Sequence, residues 1–208
     1  MACLAMDPRD KKTVFTGSKR VWRTKNAGKN WTAVSPVLDD SPVSAIEIAP
    51  ADSNRIYVGT KHGGFFRSLD GGRTWSANLS SAMLPGHAIT RIESTAKLGQ
   101  DWILLTVANF GHSHVFRSQD AGKTWVDIDS GQLPDVPHHA VVIRPDAPET
   151  IYVGNDAGVF VSSDSGRTWT NMTAKLPNVM VVDLVLHEKD ATLSAATYGR
   201  SIWRTRID

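Results

Sequence analysis

Short apolar runs recur along this chain, and turn residues separate them. One repeat runs through Val43–Ile48, Arg55–Gly59, Gly64–Ser68 and Thr74–Asn78, with proline, glycine, asparagine or aspartate in between. A later repeat has the same order of runs at 140–143, 151–154, 159–162 and 168–171. Near-continuous apolar runs of this length fit strands that are buried on both faces. The pattern therefore predicts units of successive antiparallel strands, labelled a to d from first to last.

The same unit can be traced through the whole chain. The first repeat has runs at 2–6, 14–17, 21–24 and 31–34, and the third has runs at 89–93, 102–106, 115–118 and 125–128. A fifth repeat has runs at 181–185, 193–197 and 201–205, and the sequence ends before a run for strand d. The tryptophans at 31, 75, 125 and 169 lie 44, 50 and 44 residues apart. A period of about 40–50 residues built from short strands predicts a β-propeller with one blade per repeat.

The expected fold is thus an all-β propeller of five repeats, with four four-stranded blades and a three-stranded last blade, in a single domain over residues 1–208. A three-stranded last blade leaves an unpaired edge at 201–206. Two arrangements stay open, a closed ring of five blades and the C-terminal part of a larger propeller. For the oligomeric state we favour a closed monomer over a dimer, with the inner strand of blade 1 beside that of blade 5.

An eight-residue phrase between strands c and d occurs three times almost unchanged. Its copies are Ser68–Trp75, Ser118–Trp125 and Ser162–Trp169, and Thr24–Trp31 is a weaker copy with Asn26 in place of aspartate. Serine and aspartate side chains can bond to nearby backbone amides, and glycine allows the positive φ that a tight turn needs. The indole is expected to pack back over the hairpin that it closes. The phrase therefore predicts a turn that clasps strands c and d together.

This phrase, Ser-x-Asp-x-Gly-x-Thr-Trp, resembles the Asp-box, or bacterial neuraminidase repeat, of sialidases, sortilin-type receptors and two-propeller xyloglucan hydrolases. In families with this motif the turn stabilises the blade and lies away from the active face. The resemblance therefore implies a structural role for Ser68, Asp70, Gly72, Trp75, Ser118, Asp120, Gly122, Trp125, Ser162, Asp164, Gly166 and Trp169. It also favours a secreted or periplasmic location, which the composition leaves undecided.

Composition and charge limit the classes of partner that the sequence leads us to expect. With 208 residues, 41% of them hydrophobic, the chain can bury a substantial core. The net charge of +2 gives no reason to expect a nucleic acid or a membrane as partner. Cys3 is the only cysteine, which excludes an intrachain disulfide. The sequence predicts no cofactor.

The b–c and d–a loops are expected to share the face opposite the Asp-boxes, where propeller ligands usually bind. Six of the seven histidines fall in these loops. The candidate ligand-binding residues on this face are Arg20, Lys61, His62, Phe110, His112, His114, His138, His139, Tyr198 and Arg200. The candidates could form a sugar- or anion-binding face, with basic donors and Phe110 as a stacking platform, or they could be ordinary polar loop residues. A metal site built on His112-x-His114 is the third interpretation, but no cysteine or matched carboxylate spacing supports it, so no metal is predicted.

No catalytic residue is predicted. The resemblance to sialidases would require an arginine cluster and a tyrosine paired with a glutamate, but the chain lacks a Phe/Tyr-Arg-Ile-Pro signature. Tyr198 with Arg20 and Arg200 imitates a fragment of such a site without a partner glutamate in the loops. A glycosidase needs two carboxyls about 5–5.5 or 6.5–9.5 Å apart. No pair is marked out among the candidates Asp39, Asp40, Asp135 and Asp156.

These observations favour a non-catalytic propeller that binds a glycan or a protein, or acts as a scaffold, within a secreted glycoside-hydrolase-like protein. The alternative is a glycoside hydrolase of sialidase-like or xyloglucanase-like type that acts on glycosidic bonds. The resemblance implies that the xyloglucan hydrolases work in a cleft between two propellers, and this chain accounts for one. A fold shared with such enzymes does not by itself establish their activity.

Overall fold

The structure is a computed structural model that describes residues 3–80, 84–95, 102–172 and 178–207. Blade 1 contains β1 (Leu4–Asp7), β2 (Asp10–Gly17), β3 (Val21–Thr24) and β4 (Thr32–Ala33), and blade 2 contains β5 (Val43–Ile48), β6 (Ile56–Thr60) and β7 (Phe65–Ser68). Blade 3 contains β8 (Ile89–Thr95), β9 (Trp102–Val107), β10 (Val115–Ser118) and β11 (Val126–Asp127). Blade 4 contains β12 (His138–Ile143), β13 (Ile151–Asn155), β14 (Gly158–Ser162) and β15 (Thr170–Asn171). Blade 5 contains β16 (Val181–His187), β17 (Thr192–Thr197) and β18 (Ile202–Arg206), with a 3₁₀ turn at Glu188–Asp190.

Each blade is an antiparallel sheet whose strands pair in chain order. Within the described residues, three sheets have four strands and the sheets of blades 2 and 5 have three. The all-β propeller class and its five repeats are thereby confirmed. Contacts between the first strands of successive blades, such as β5 with β8 and β12 with β16, confirm that strand a is innermost and that strand d, where it forms, is outermost.

The predicted fourth strand of blade 2, at 74–78, does not form. The segment still runs beside β7, because the amide of Ser76 donates to the carbonyl of Arg67 at 2.9 Å and that of Leu79 donates to Phe65 at 2.8 Å. The opposite bonds go to side chains: the Arg67 amide donates to Ser76 Oγ at 3.1 Å and the Phe65 amide donates to Asn78 Oδ1 at 3.1 Å. Short polar side chains thus replace carbonyls in the ladder, a competition that the apolar pattern did not reveal.

Four apolar clusters join consecutive blades. Representative members, junction by junction, are Phe15 and Ile56, Tyr57 and Ile103, Leu104 and Ile151, and Tyr152 and Leu193. Neighbouring residues of one strand therefore enter different junctions, because successive side chains point to opposite faces of a sheet. Burial on both faces explains why the strands read as continuous apolar runs.

A glycine on strand b marks the closest approach between blades. A Cβ added to Gly17 or Gly59 would lie 2.5 Å from the side chain of Val43 or Ile89 on the inner strand of the next blade. Gly154 has the same relation to Val181, at 2.7 Å. A larger residue would push the blades apart, so the repeated glycine reflects packing at the junctions.

The five blades form an open arc. None of the four clusters, which cover the described residues, joins blade 5 to blade 1. Leu4 and Met6 on β1 are 71% and 61% exposed, and Ile202 on β18 is 72% exposed. The closed ring of five blades that the sequence favoured is therefore wrong. The same close contact recurs at the junctions, so neighbouring blades have a similar relative orientation. Five blades in that orientation do not close a ring, and the outer sides of blades 1 and 5 stay exposed.

The Asp-box turns share one set of hydrogen bonds. Ser68 Oγ accepts from the amide of Gly72 and donates to Asp70 Oδ1, both at 2.8 Å. Asp70 Oδ1 also accepts from the amides of Arg73 and Thr74, at 3.0 and 2.9 Å. The same bonds recur around Asp120 and Asp164. The Thr74 hydroxyl and amide lower the pKa of Asp70 to about 2, so the carboxylate stays ionised and holds the turn.

The closing tryptophan contacts the preceding blade. Trp75 Nε1 donates to the carbonyl of Val34 at 2.7 Å. Trp169 Nε1 donates to the carbonyl of Ile128 at 2.8 Å. Trp125 packs edge-on against Phe65, with 4.9 Å between the ring centroids. In each case the indole reaches strand c of the blade before it or the residue that follows its strand d, so the motif connects blades as well as strands.

Candidate binding face

The b–c and d–a loops lie together at one end of the blades. The amide of Lys61 in a b–c loop donates to the carbonyl of Pro42 in the preceding d–a loop at 3.0 Å, and blades 3, 4 and 5 repeat this bond. At the other end, the Asp-box residue Gly71 donates to the carbonyl of Asn54 in an a–b turn at 2.9 Å. We call these ends the loop face and the Asp-box face. The predicted d–a loops at 79–87 and 174–180 lie partly outside the described residues.

Seven of the ten candidate residues are exposed on the loop face. They are Arg20, Lys61, His62, Phe110, His112, Tyr198 and Arg200. They come from blades 1, 2, 3 and 5, so they are spread over the face. The imidazole of His112 is 6.1 Å from that of His87, measured between ring centroids. The structure therefore offers a broad polar and aromatic face.

His114 and His138 are buried between blades 3 and 4. Their rings stack with 4.6 Å between centroids, and His114 Nδ1 is 2.7 Å from Asp129 Oδ2. His138 Nδ1 is 2.8 Å from the carbonyl oxygen of Val136. Burial lowers the pKa of His138 to about 4, so this imidazole is neutral near pH 7. Both histidines are enclosed in a buried polar network, where neither is available to a ligand on the surface.

The prediction that His138 and His139 lie in a loop was wrong. Both belong to β12, which begins at His138 and therefore extends further toward the loop face than the apolar run 140–143 indicated. His139 Nε2 is 2.7 Å from Asp156 Oδ1 in the b–c loop of the same blade, and both side chains are half-buried. In this pair a candidate histidine meets a candidate carboxylate at the rim of the loop face.

The other carboxylates considered for catalysis have structural partners. Asp39 Oδ2 accepts from Thr60 Oγ1 at 2.8 Å, and Asp40 is 3.6 Å from the amine of Lys19. Asp135 Oδ1 accepts from the amide of Gly111 at 2.6 Å, which anchors the loop that carries Phe110. These contacts hold loops in place and do not bring two carboxyls together.

Sequence reasoning missed a charged cluster on the inner strands. Glu47 Oε1 accepts from Ser94 Oγ at 2.8 Å and from its amide at 3.2 Å. Arg91 Nη1 is 3.5 Å from Asp183 Oδ1, and Arg91 Nε is 3.9 Å from Glu93 Oε2. The cluster links blades 2, 3 and 5 on the concave side of the arc. Its only sequence signal was a charged residue at the same inner-strand position of two repeats, Glu47 and Glu93.

The two glutamates have raised pKa values. Burial raises the pKa of Glu93 to about 7, with Arg91 opposing the shift and Asp183 adding to it. Burial and the charge of Glu93 raise the pKa of Glu47 well above its usual range, against the bonds from Ser94. A cavity of about 550 Å³ opens here toward the a–b turns and is lined in part by Arg91, Glu93 and Leu184. A carboxyl that is partly protonated at neutral pH can both donate and accept a proton.

Two further observations concern metals and membranes. Among the described residues, no three histidine, cysteine, aspartate or glutamate side chains converge in a way that could hold a metal ion. In the same part of the chain, no helix is long and apolar enough to cross a membrane.

Comparison with known families identifies the repeats. A BNR/Asp-box repeat model matches residues 66–77, which contain the turn around Asp70. The propeller therefore carries an Asp-box repeat. A model of the Sortilin-Vps10 family (sortilin, neurotensin receptor 3) matches residues 113–204 of the propeller. The resemblance read from the repeated phrase is thereby confirmed.

Curated relatives of the Asp-box propeller include proteins named as xyloglucanases. A xyloglucanase of Paenibacillus sp. is 29% identical over 155 residues, which cover 61% of this chain and 15% of that protein. A probable oligoxyloglucan-reducing end-specific xyloglucanase of Neosartorya fischeri is 27% identical over 158 residues, which cover 68% of this chain and 18% of that protein. The chain thus spans less than a fifth of the length of either relative.

Solved structures share the fold. An ancestral GH74 enzyme superposes with a TM-score of 0.76 at 22% identity, covering 98% of this chain and 29% of that one. The GH74 xyloglucanase from Xanthomonas campestris superposes with a TM-score of 0.74 at 17% identity, covering 97% and 35%. At these identities the likeness establishes the fold alone. With the sequence relatives, it supports a propeller related to those of glycoside hydrolases.

Proposed function

We propose that this chain is a non-catalytic propeller module that binds a glycan of the xyloglucan type on its loop face. The two relatives named as xyloglucanases support the choice of glycan. The separation of the loop face from the Asp-box face supports the location, because it leaves the loop face free of the turns that hold the blades together.

The observation that carries the proposal is a pair of exposed aromatic side chains on the loop face. Phe110 is 63% exposed and Tyr198 is 76% exposed. An aromatic ring offers a flat apolar surface to the ring of a sugar, while a tyrosine hydroxyl and nearby cations can hydrogen-bond its hydroxyls. Arg200 lies two residues beyond Tyr198 and is also exposed, so it supplies such a donor.

The loop that carries Phe110 is anchored by the carboxylate of Asp135. The amide of Gly111 donates to Asp135 Oδ1 at 2.6 Å, and His114 Nε2 lies 3.4 Å from the same carboxylate oxygen. A platform fixed in this way loses little conformational freedom when a ligand binds. The carboxylates near this face anchor loops, which supports binding without hydrolysis.

Calorimetric titration with xyloglucan oligosaccharides tests the proposal. We expect Phe110→Ala and Tyr198→Ala each to weaken binding by about tenfold, or about 1.4 kcal/mol, with unchanged thermal stability. Leu69→Ala, which removes an exposed apolar side chain from the Asp-box face, is the matched control and should bind like the parent.

Two results would contradict the proposal. Binding that survives both aromatic substitutions and fails in Leu69→Ala would place the site on the Asp-box face. Release of reducing ends from xyloglucan by the purified chain would show that the module is catalytic.

A further inference from the structure

A cavity of about 480 Å³ lies between blades 3 and 4. Val126 and Ile128, in and just after β11, line it on one side, and residues 165–167 of the next Asp-box turn line it on the other. Arg117 on β10 and Trp102 on β9 complete the wall between them. Both blades have all four strands, and each has a further blade beside it. The cavity is therefore a feature of an internal junction.

The guanidinium of Arg117 is fixed in this wall. Its central carbon lies 5.4 Å from the centroid of the Trp102 ring, and Trp102 is itself buried. Arg117 Nη1 donates to the carbonyl of Ser165 at 3.2 Å. Arg117 Nε is buried and has no hydrogen-bond partner among the described residues. A buried donor without an acceptor is unfavourable, so the wall presents a held cation with unused hydrogen-bonding capacity.

The arginines at the same position of strand c in blades 1 and 2 are bonded more closely. Arg23 Nη1 donates to the carbonyl of Gly71 at 2.7 Å. Arg67 Nη1 donates to the carbonyl of Ala121 at 2.6 Å. The corresponding bond of Arg117 is the longest of the three. The protein's own carbonyl therefore satisfies the guanidinium least well at the junction that has the large cavity.

Arg167 brings a second positive charge to the same cavity. Its side chain is exposed and belongs to the Asp-box turn of blade 4. Burial lowers the pKa of Arg117, and the positive charge of Arg167 lowers it further. Within the part of the chain that the structure describes, neither guanidinium forms an ion pair with a carboxylate. A bound anion would relieve the repulsion between the two cations.

The one carboxylate that lines this cavity, Asp127, is bonded elsewhere. Its Oδ1 accepts from the amides of Asp129 and Ser130 at 2.8 and 3.3 Å. Its Oδ2 accepts from the hydroxyl of Ser113. These bonds hold the turn that follows β11, so Asp127 does not neutralise either arginine by direct contact.

A smaller cavity at the junction between blades 1 and 2 has balanced charges. It has a volume of about 240 Å³ and is lined by two cations, Arg23 and Lys25, and two carboxylates, Asp7 and Asp10. The cavity between blades 3 and 4 is twice as large and is lined by two cations and one carboxylate. An excess of positive charge is thus specific to the larger cavity of the two.

We propose that the cavity between blades 3 and 4 binds a small hydroxylated molecule that carries an oxyanion, either a carboxylate or a phosphate. The planar guanidinium groups of Arg117 and Arg167 match the oxygen atoms of such a group. The amide of Gln119 and the hydroxyl of Ser130 also line the cavity, where they can hydrogen-bond the hydroxyls of the ligand. The volume exceeds what a bare anion fills and lies in the range of small-molecule sites.

Calorimetric titration at low salt with glucuronate, glucose 6-phosphate and neutral glucose tests the proposal. We expect at least one of the two anions to bind saturably and glucose not to bind, and the tighter anion distinguishes a carboxylate ligand from a phosphate ligand. Arg167→Gln, at an exposed side chain, should weaken binding of that anion by about tenfold. Arg117→Lys keeps the charge and removes the planar group, so it should also weaken binding.

Two control variants locate the effect. Arg73→Gln removes an exposed arginine at the motif position of blade 2 that matches Arg167, and it should bind the anion like the parent. Phe110→Ala alters the loop face and should also leave anion binding unchanged. The second control keeps this site distinct from the glycan site proposed above, so either can fail without the other. Thermal melts check that each variant is folded.

Three outcomes would overturn the proposal. One is that neither anion binds saturably, or that glucose binds as tightly as the anions. Another is anion binding that is unchanged in Arg167→Gln. The third is an equal loss in Arg73→Gln and Arg167→Gln, which would show a general effect of net charge.

Discussion

The outer half of each blade and its inner strand follow different rules in this chain. In the outer half, the same phrase recurs and forms the same turn, as around Asp70 and Asp164. On the inner strand, one equivalent position in the five blades holds Ala5, Glu47, Glu93, Val142 and Val185. Residues that clasp strands and join blades are repeated, whereas residues on the concave side of the arc vary from blade to blade.

This difference follows from what each region contacts. The Asp-box turns of blades 2 and 4 meet similar partners, the preceding blade and their own a–b turn, so the same residues serve both repeats. The inner strands meet in the middle of the arc, where each has different neighbours. Stability is therefore distributed over repeated positions, while pH-dependent behaviour is concentrated at a few unique ones. Substitutions in the two regions should therefore change the free energy of unfolding in different ways.

The largest expected effect comes from the repeated region. Trp125→Ala removes an indole that is buried between blades 2 and 3 and packs edge-on against Phe65. Loss of a buried aromatic side chain should lower the free energy of unfolding by about 3–5 kcal/mol. Urea unfolding followed by circular dichroism measures this through the midpoint and the slope.

Trp31→Ala is the matched control for that prediction. It alters the same motif position in blade 1, where the indole is exposed. We expect it to cost much less, because this indole is already partly in contact with solvent. Equal losses at the two positions would show that the tryptophan stabilises its own hairpin and not the junction.

The strands could be predicted from the sequence because burial on both faces leaves a strong signal. The run at 102–106 became β9, where Ile103 and Leu104 enter different junctions, and the runs at 43–48 and 115–118 matched their strands. The prediction of strand d in blade 2 was wrong because the side chains of Ser76 and Asn78 compete for its hydrogen bonds. Such competition depends on local geometry that an apolar pattern does not encode.

The candidate site was harder to predict. Exposed loop residues such as Phe110 could be placed on one face from the strand order alone. The burial of His114 and His138 was not visible, because it depends on a carboxylate, Asp129, from a later loop. The inner-strand cluster was missed because Glu47 and Glu93 belong to separate repeats, and nothing local to either residue indicates that the other lies nearby.

The inner-strand cluster should make the free energy of unfolding depend on pH. The pKa of Glu93 is raised to about 7 by burial, so the folded chain holds this proton more tightly than the unfolded chain does. The stability linked to this proton is fully present below about pH 4.5 and is lost as pH rises through about 7. Glu93→Gln should remove that dependence and raise the free energy of unfolding at pH 8 by about 2 kcal/mol relative to the parent.

Urea titrations at pH 5 and pH 8 measure this effect. Glu149→Gln, at an exposed position outside the cluster, is the control and should keep the pH dependence of the parent. A parent whose stability does not fall between these two pH values would contradict the raised pKa. A Glu93→Gln variant that is less stable than the parent at pH 8 would show that the ionised carboxylate, which lies beside Arg91, stabilises the fold.

A smaller effect is expected from the hydroxyl at the start of an Asp-box. Ser118 Oγ is buried, accepts from the Gly122 amide at 2.8 Å and donates to Asp120 Oδ1 at 2.8 Å. Ser118→Ala leaves a buried amide without its acceptor, which should cost about 1–2 kcal/mol at any pH between 5 and 8. Ser163→Ala, at an exposed variable position of the motif, is the control and should change the free energy of unfolding by less than about 0.5 kcal/mol. If the loss of unfolding free energy in Ser118→Ala changed between pH 5 and pH 8, the Asp-box turns and the inner-strand cluster around Glu93 would be coupled. If the two regions are independent, Ser118→Ala loses the same free energy of unfolding at every pH, and Ser163→Ala does not lose it.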